Sequence, residues 1–233
     1  DAGSPVVDAG SPVVDAGSPV VDAGTPPGPV TAIRFGATQG KDGLVSNAPV
    51  DPNLRTVAAW VHLRATTTNL SRQLNLWSLE NAAPSNTYQL MLSTYRVDQF
   101  ESHDNRQGGF LFARVDLGWW FIAETNRASG PSTRLYFKRP GTSALTVASG
   151  NTHPAITGIT RFLVGTDDAT GQNEWMDGDI TGVKVWNAEL SQAELELEAQ
   201  QIQPVRTANL HAFYPLQSTA SMLSDLSGNG RNL

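Results

Sequence analysis

The chain has no cysteine, which excludes disulfides, thiolate catalysis and cysteine-bound zinc or iron–sulfur centres. Lysine is scarce as well: 3 residues against 13 arginines. No basic stripe of the kind that neutralises phosphates is present, so nucleic acid is not an expected partner. No apolar run approaches the roughly 20 residues that a membrane-spanning helix needs. The four histidines, His62, His103, His153 and His211, are scattered. None stands in His-Glu-x-x-His spacing, so histidine-bound zinc is not expected either. What remains is 233 residues, 39% of them hydrophobic, a length that one all-β sandwich commonly fills.

The net charge of −6 is unevenly spread. Asp1, Asp8, Asp15 and Asp22 supply four negative charges before the first base, Arg34. They belong to a repeat. DAGSPVV occupies residues 1–7, 8–14 and 15–21, and a degraded copy, DAGTPPG, occupies 22–28. The seven-residue period does not make a coiled coil, because Pro5, Pro12 and Pro19 each remove a helix hydrogen bond and clash with the preceding turn. Gly, Pro, Ser and Ala favour an extended, polyproline-like chain. Residues 1–29 therefore read as a tail or linker, and because Asp1 begins directly in repeat sequence, any targeting segment is expected to have been removed or left out. Two roles stand for the tail. It is a tether that lifts the domain off a surface, with Ser4, Ser11, Ser18 and Thr25 as O-glycan candidates. Alternatively its Val-Val pairs add to the sheet edge of another copy, giving a homo-oligomer or an open polymer.

Residues 30–233 read as one domain of many short strands. Candidates are Thr31–Phe35, Thr56–Leu63, Gln73–Leu79, Tyr88–Thr94, Phe110–Val115, Trp119–Glu124, Arg134–Lys138, Arg161–Gly165, Ile180–Trp186 and Leu210–Tyr214, separated by polar turns. One helix interrupts them, over about residues 191–203. Ser191 is its N-cap, Glu194 completes a capping box, Leu190 and Leu195 form a hydrophobic staple, and Pro204 bars continuation. Alternation assigns faces. Val57, Ala59, Val61 and Leu63 share one side of their strand, and Ala58, Trp60 and His62 the other. In the Trp119 strand, Trp119, Phe121 and Ala123 oppose Trp120, Ile122 and Glu124.

The run from Gly178 to Leu195, GDITGVKVWNAELSQAEL, resembles the closing pattern of the laminin G-like, concanavalin A-like jelly-roll family. Three further segments resemble that family: Val57–Val61 (VAAWV), Trp119–Ala123 with Arg134–Phe137, and Leu210–Leu216 with Asp225–Gly230 (DLSGNG). The resemblance implies an all-β fold: an antiparallel two-sheet jelly-roll sandwich with one short surface helix. It also implies that Trp119 faces inward, leaving Trp120 to face a groove or partner. Two departures stand out. Thr181-Gly182 replaces the family's acidic pair. DLSGNG lies at the C-terminus, where it finishes this domain, begins another, or completes a neighbouring copy.

The Glu-x-Asp-x-x-Glu strand motif, with which enzymes of this fold place paired carboxylates on one face, is absent, and no Gly-x-Ser-x-Gly elbow occurs. A catalytic role is therefore not expected. Calcium is the one candidate cofactor. Asp177, Asp179, Asp225 and Asn229 offer the oxygens it takes, and family members often hold calcium in such loops; the alternative is that they are turn formers bonding their own backbone. For a sugar, Tyr95, Arg96 and Asp98 combine an aromatic ring with polar groups, and Trp77 and Trp120 are further stacking candidates against a role in the core. The expected function is a non-catalytic module, secreted or at a cell surface, that recognises glycans or a surface polymer. The alternatives are a self-assembling filament subunit and an accessory domain of a glycosidase.

Overall fold

The computed structural model describes residues 31–35, 43–46, 55–63, 74–81, 87–93, 99–104, 110–114, 118–126, 133–138, 142–149, 159–166, 176, 178–218 and 223–233. The repeat tail, residues 1–29, lies outside them, and so do its two expected roles. In chain order the elements are β1 (Ile33–Phe35), β2 (Leu44–Val45), β3 (Thr56–Leu63), β4 (Leu74–Asn81), β5 (Thr87–Ser93), β6 (Gln99–Asp104), β7 (Phe110–Arg114), β8 (Gly118–Asn126), β9 (Thr133–Lys138), β10 (Thr146–Ser149), β11 (Ile159–Val164), β12 (Gly178–Trp186), α1 (Gln192–Glu198) and β13 (Leu210–Tyr214).

The strands form two sheets, and all their pairings are antiparallel. The first sheet runs β1-β12-β3-β8-β9-β10, with β13 also paired to β12. The second runs β2-β11-β4-β5-β6-β7. The expected antiparallel jelly-roll sandwich is therefore the observed fold, with one short helix among the described residues. All ten expected strands are present within a residue or two. The sequence reading missed β2, β6 and β10.

Alternation in β3 and β8 builds two cores, one on each side of the first sheet. Val57, Ala59, Val61 and Leu63 of β3 join Trp120 and Ile122 of β8, Leu76, Trp77 and Leu79 of β4, and Phe162 and Val164 of β11 between the sheets. The opposite side chains, Ala58, Trp60, Phe121, Ala123 and Tyr136, pack under Leu190, Leu195, Ala199 and Ile202 of the helical segment. The first sheet is thus a middle layer. All nine residues of β12 are buried.

The bulge in β12 keeps it in register with both cores. The pairing with β3 shifts between Thr181 and Lys184, so Ile180 and Val183 both face the inner core. Gly182 supplies the positive φ of 62° that the bulge needs, and its N–H donates to the Pro215 carbonyl at 2.9 Å.

Helix α1 begins as the sequence predicts. The Ser191 N–H donates to Glu194 Oε2 at 2.8 Å, and the Glu194 N–H donates to Ser191 Oγ at 3.3 Å. Leu190 and Leu195 are both fully buried. The helix ends at Glu198, however, well before Pro204. Lys184 is the reason. Its Nζ reaches up from β12 and donates to Glu198 Oε2 at 2.7 Å and to the Glu198 and Gln201 carbonyls at 3.0 and 2.9 Å. Glu198 Oε1 accepts the Val205 and Arg206 N–H groups at 3.0 and 2.7 Å. These bonds draw the chain out of the helical path and back over the sheet.

The DLSGNG element belongs to this domain. The Leu226 N–H donates to the Phe213 carbonyl at 2.8 Å, and the Leu233 side chain is part of the inner core.

Candidate functional site

The expected stacking residues Trp77 and Trp120 are not surfaces. Trp77 is 1% exposed and Trp120 is fully buried in the inner core, with Trp120 against Phe137 at a centroid separation of 6.0 Å. Trp77 Nε1 donates to Glu124 Oε2 at 3.1 Å, which satisfies its one polar group. The expected faces of β8 are thereby inverted: Trp120 points inward, and Trp119 lies on the outer side with Phe121 and Ala123. Alternation gave the correct two sets. It could not say which set met the second sheet, because both faces of β8 are covered. Tyr95, Arg96 and Asp98 lie outside the described residues.

Of the calcium candidates, Asp177 lies outside the described residues. The other three are placed, and they do not converge. Asp225 Oδ1 accepts the N–H groups of Phe213 and Ser227 at 3.0 and 2.9 Å. Its Oδ2 accepts the Ser227 hydroxyl and the Arg231 N–H, both at 2.9 Å. Each oxygen therefore has its two acceptor sites filled. Burial pushes the Asp225 carboxyl up, but these four bonds outweigh it and hold the group below the usual carboxylate range. Asn229 Nδ2 donates to the carbonyls of Leu210 and His211 at 2.9 and 3.0 Å. Both residues shape the final turn. Asp179 instead accepts from His62 Nδ1 at 2.9 Å. It lies on the order of 15 Å along β12 from Lys184, the partner of Phe213, taking about 3.3 Å per residue. The described members of the set do not fit a calcium ion. Among the described residues, no group of three or more His, Asp or Glu could hold a metal.

An open cleft of about 360 Å³ does form, where α1 overhangs the outer side of β9 and β10. Its lining comes from three sources. Arg134 and Tyr136 are alternate residues of β9 and share its outer face, and Val147 of β10 is the direct partner of Tyr136. Glu189, Gln192 and Glu194 descend from the start of the helical segment. Arg134 Nη1 stands 4.0 Å from Glu189 Oε1, too far for a hydrogen bond. Val147 is 39% exposed and gives the cleft an apolar patch. Glu194 is engaged elsewhere. The Ser191 N–H, with the Ser191 hydroxyl and Arg206 adding to it, holds its carboxyl below the usual range against a smaller effect of burial.

The arrangement brings a donor, an acceptor and an apolar patch together in one cleft. A hydroxyl placed between Arg134 and Glu189 accepts from the guanidinium and donates to the carboxylate, while a pyranose C–H face lies against Val147. The Arg134 guanidinium and the Glu189 carboxylate sit side by side, so their charges offset. The sequence reading missed these residues. The alternation of Arg134 with Tyr136 was visible in it, but the overhang of the helix was not.

No family model matches the chain, and no curated protein matches it. Solved structures do resemble it in fold. Tailspike protein 2 of a bacteriophage of Escherichia coli O157:H7 superposes with a TM-score of 0.59 at 15% identity, over 81% of this chain and 27% of that one. A candidate carbohydrate-binding protein from Bacteroides ovatus gives a TM-score of 0.55 at 14% identity, over 82% and 53%. A Trypanosoma rangeli sialidase gives 0.55 at 18% identity, over 73% and 27%. The chain spans about a quarter to a half of the length of these structures.

Proposed function

We propose that residues 30–233 form a non-catalytic module that recognises a neutral glycan on an extracellular or cell-surface polymer, with the heptapeptide repeats as its tether. The observation that carries the reading is the 4.0 Å gap between Arg134 and Glu189, at the mouth of a cleft that also exposes Val147. Small-molecule sites combine an apolar patch with a few placed polar groups in this way. The jelly-roll fold, shared with a candidate carbohydrate-binding protein, supports the reading, as does the missing paired-carboxylate motif. Asp225 and Asn229 do not contribute to it, since they are spent on their own turn.

The test is a glycan array probed with the full chain, followed by calorimetric titration of the strongest soluble oligosaccharide. Arg134→Ala is expected to weaken binding at least tenfold. Affinity should change little between low and high salt, because no net charge is neutralised. An array with no ligand, or an Arg134→Ala variant that binds like the parent, would overturn the proposal.

A further inference from the structure

Away from the cleft, three neighbouring strands place Asp179, His62 and Trp119 side by side on the outer face of the first sheet. Asp179 of β12 is the direct partner of His62 of β3, and His62 is the direct partner of Trp119 of β8. Direct partners in an antiparallel pair project to the same side, so the three form a row about 10 Å long at a strand spacing of about 4.8 Å. Arg34 of β1 pairs with Asp179 and extends the row by one strand.

The chemistry of the row is oriented. A carboxylate only accepts, so the 2.9 Å contact with Asp179 Oδ2 makes His62 Nδ1 the donor. The neutral ring then carries its lone pair on Nε2. The imidazole is locked in place by its stack on the Trp119 indole, with a centroid separation of 4.9 Å and an interplanar angle of 28°. Asp179 is only 7% exposed and cannot leave for water, whereas His62 keeps 27% of its side-chain surface. Among the described residues Nε2 has no hydrogen-bond partner, and it is not sealed from solvent. Nothing in the packing needs an acceptor there, and β-sheet stability does not call for a histidine held in one tautomer.

We propose that this row is a second saccharide-contact strip, in which a sugar hydroxyl donates to His62 Nε2 beside the exposed part of the Trp119 indole. Asp179 is a positioning residue that fixes the tautomer and does not touch the sugar. The proposal rests on the glycan reading of the domain, and it gives one module two contact points on a polymer.

The test is nitrogen-15 NMR of the full chain, with the His62 ring signals identified by a His62→Gln variant. Cellobiose, lactose and chitobiose are titrated as probes alongside the array ligand. The free protein should show the Nδ1–H tautomer, and the Nε2 signal should shift on titration. Asp179→Asn, which keeps the shape but can donate to Nδ1, should mix the tautomers and weaken binding at least threefold without changing the fold. His62→Ala should weaken binding at least as much. If Arg134→Ala loses binding while both strip variants bind like the parent and Nε2 stays still, the strip is refuted and the glycan reading survives. If no saccharide binds the parent chain, both fall.

Discussion

Replacing Lys184 by methionine tests the account of how the helical segment is held on the sheet. Lys184 and Glu198 side chains are each 1% exposed, and their partners leave neither charge unmatched. The variant removes three hydrogen bonds at once, to Glu198 Oε2, Glu198 O and Gln201 O. It leaves the Glu198 carboxylate buried with only the Val205 and Arg206 N–H groups to stabilise it. Breaking a buried pair by removing one partner costs about 3–5 kcal/mol. For a domain of this size, 1 kcal/mol shifts the melting temperature by roughly 2–4 °C, so the expected fall is roughly 6–20 °C. Urea denaturation should show the midpoint dropping with an unchanged slope, because the folded surface is the same. The double variant Lys184→Met/Glu198→Leu should recover part of the loss, since no charge is then stranded. Recovery stays incomplete because the Val205 and Arg206 N–H groups lose their acceptor. A single variant that costs less than about 1 kcal/mol, or a double variant less stable than the two single losses added together, would refute this reasoning.

Asp225→Asn should cost about 1–3 kcal/mol by urea denaturation, because the amide presents N–H groups to the Arg231 N–H that Oδ2 now accepts. The sign of the pH dependence follows from the depressed Asp225 carboxyl. Its contribution is complete above the unfolded value of about 3.9 and is lost as pH falls through the lower folded value, and the Asn variant should lack that acid-side slope. Ser191→Ala removes the N-cap oxygen and should cost about 1 kcal/mol in the same assay. Gly182→Ala forces a Cβ onto a φ of 62° and to 3.2 Å from Ile202 Cγ2. It should cost at least about 1–2 kcal/mol, where an alanine at an unstrained position would be neutral.

The strands that the sequence revealed are those whose two faces differ in size or polarity, such as Thr56–Leu63. The missed ones lack that contrast. Leu44–Val45 is two residues long, and Gln99–Asp104 (QFESHD) has Phe100 as its one apolar residue, so neither alternation marks an apolar face. The capping box of α1 was legible because its signal spans three residues. The early end of the helix was not, because Lys184 acts from 14 residues away in sequence. A clue was present: Lys184 sits between Val183 and Val185 in an apolar strand, and a buried lysine requires a partner. Residue spacing also failed at the candidate sites. Asp179 and His62 are 117 positions apart, and only the register of β12 on β3 unites them. Arg134 and Glu189 meet because the segment before α1 crosses β9, a tertiary fact with no local signature.

A sheet covered on both sides has a kinetic signature. The amides of β12 and β3 can exchange with deuterium only after the helical segment lifts and the second sheet separates, so they should report global opening. Amides of β10, the last strand of the first sheet among the described residues, should exchange through smaller fluctuations. That gradient places the adaptable part of the molecule beside the α1 cleft and the unyielding part beneath the Asp179–His62 pair. A polymer chain spanning both would meet one contact that adjusts to it and one that does not.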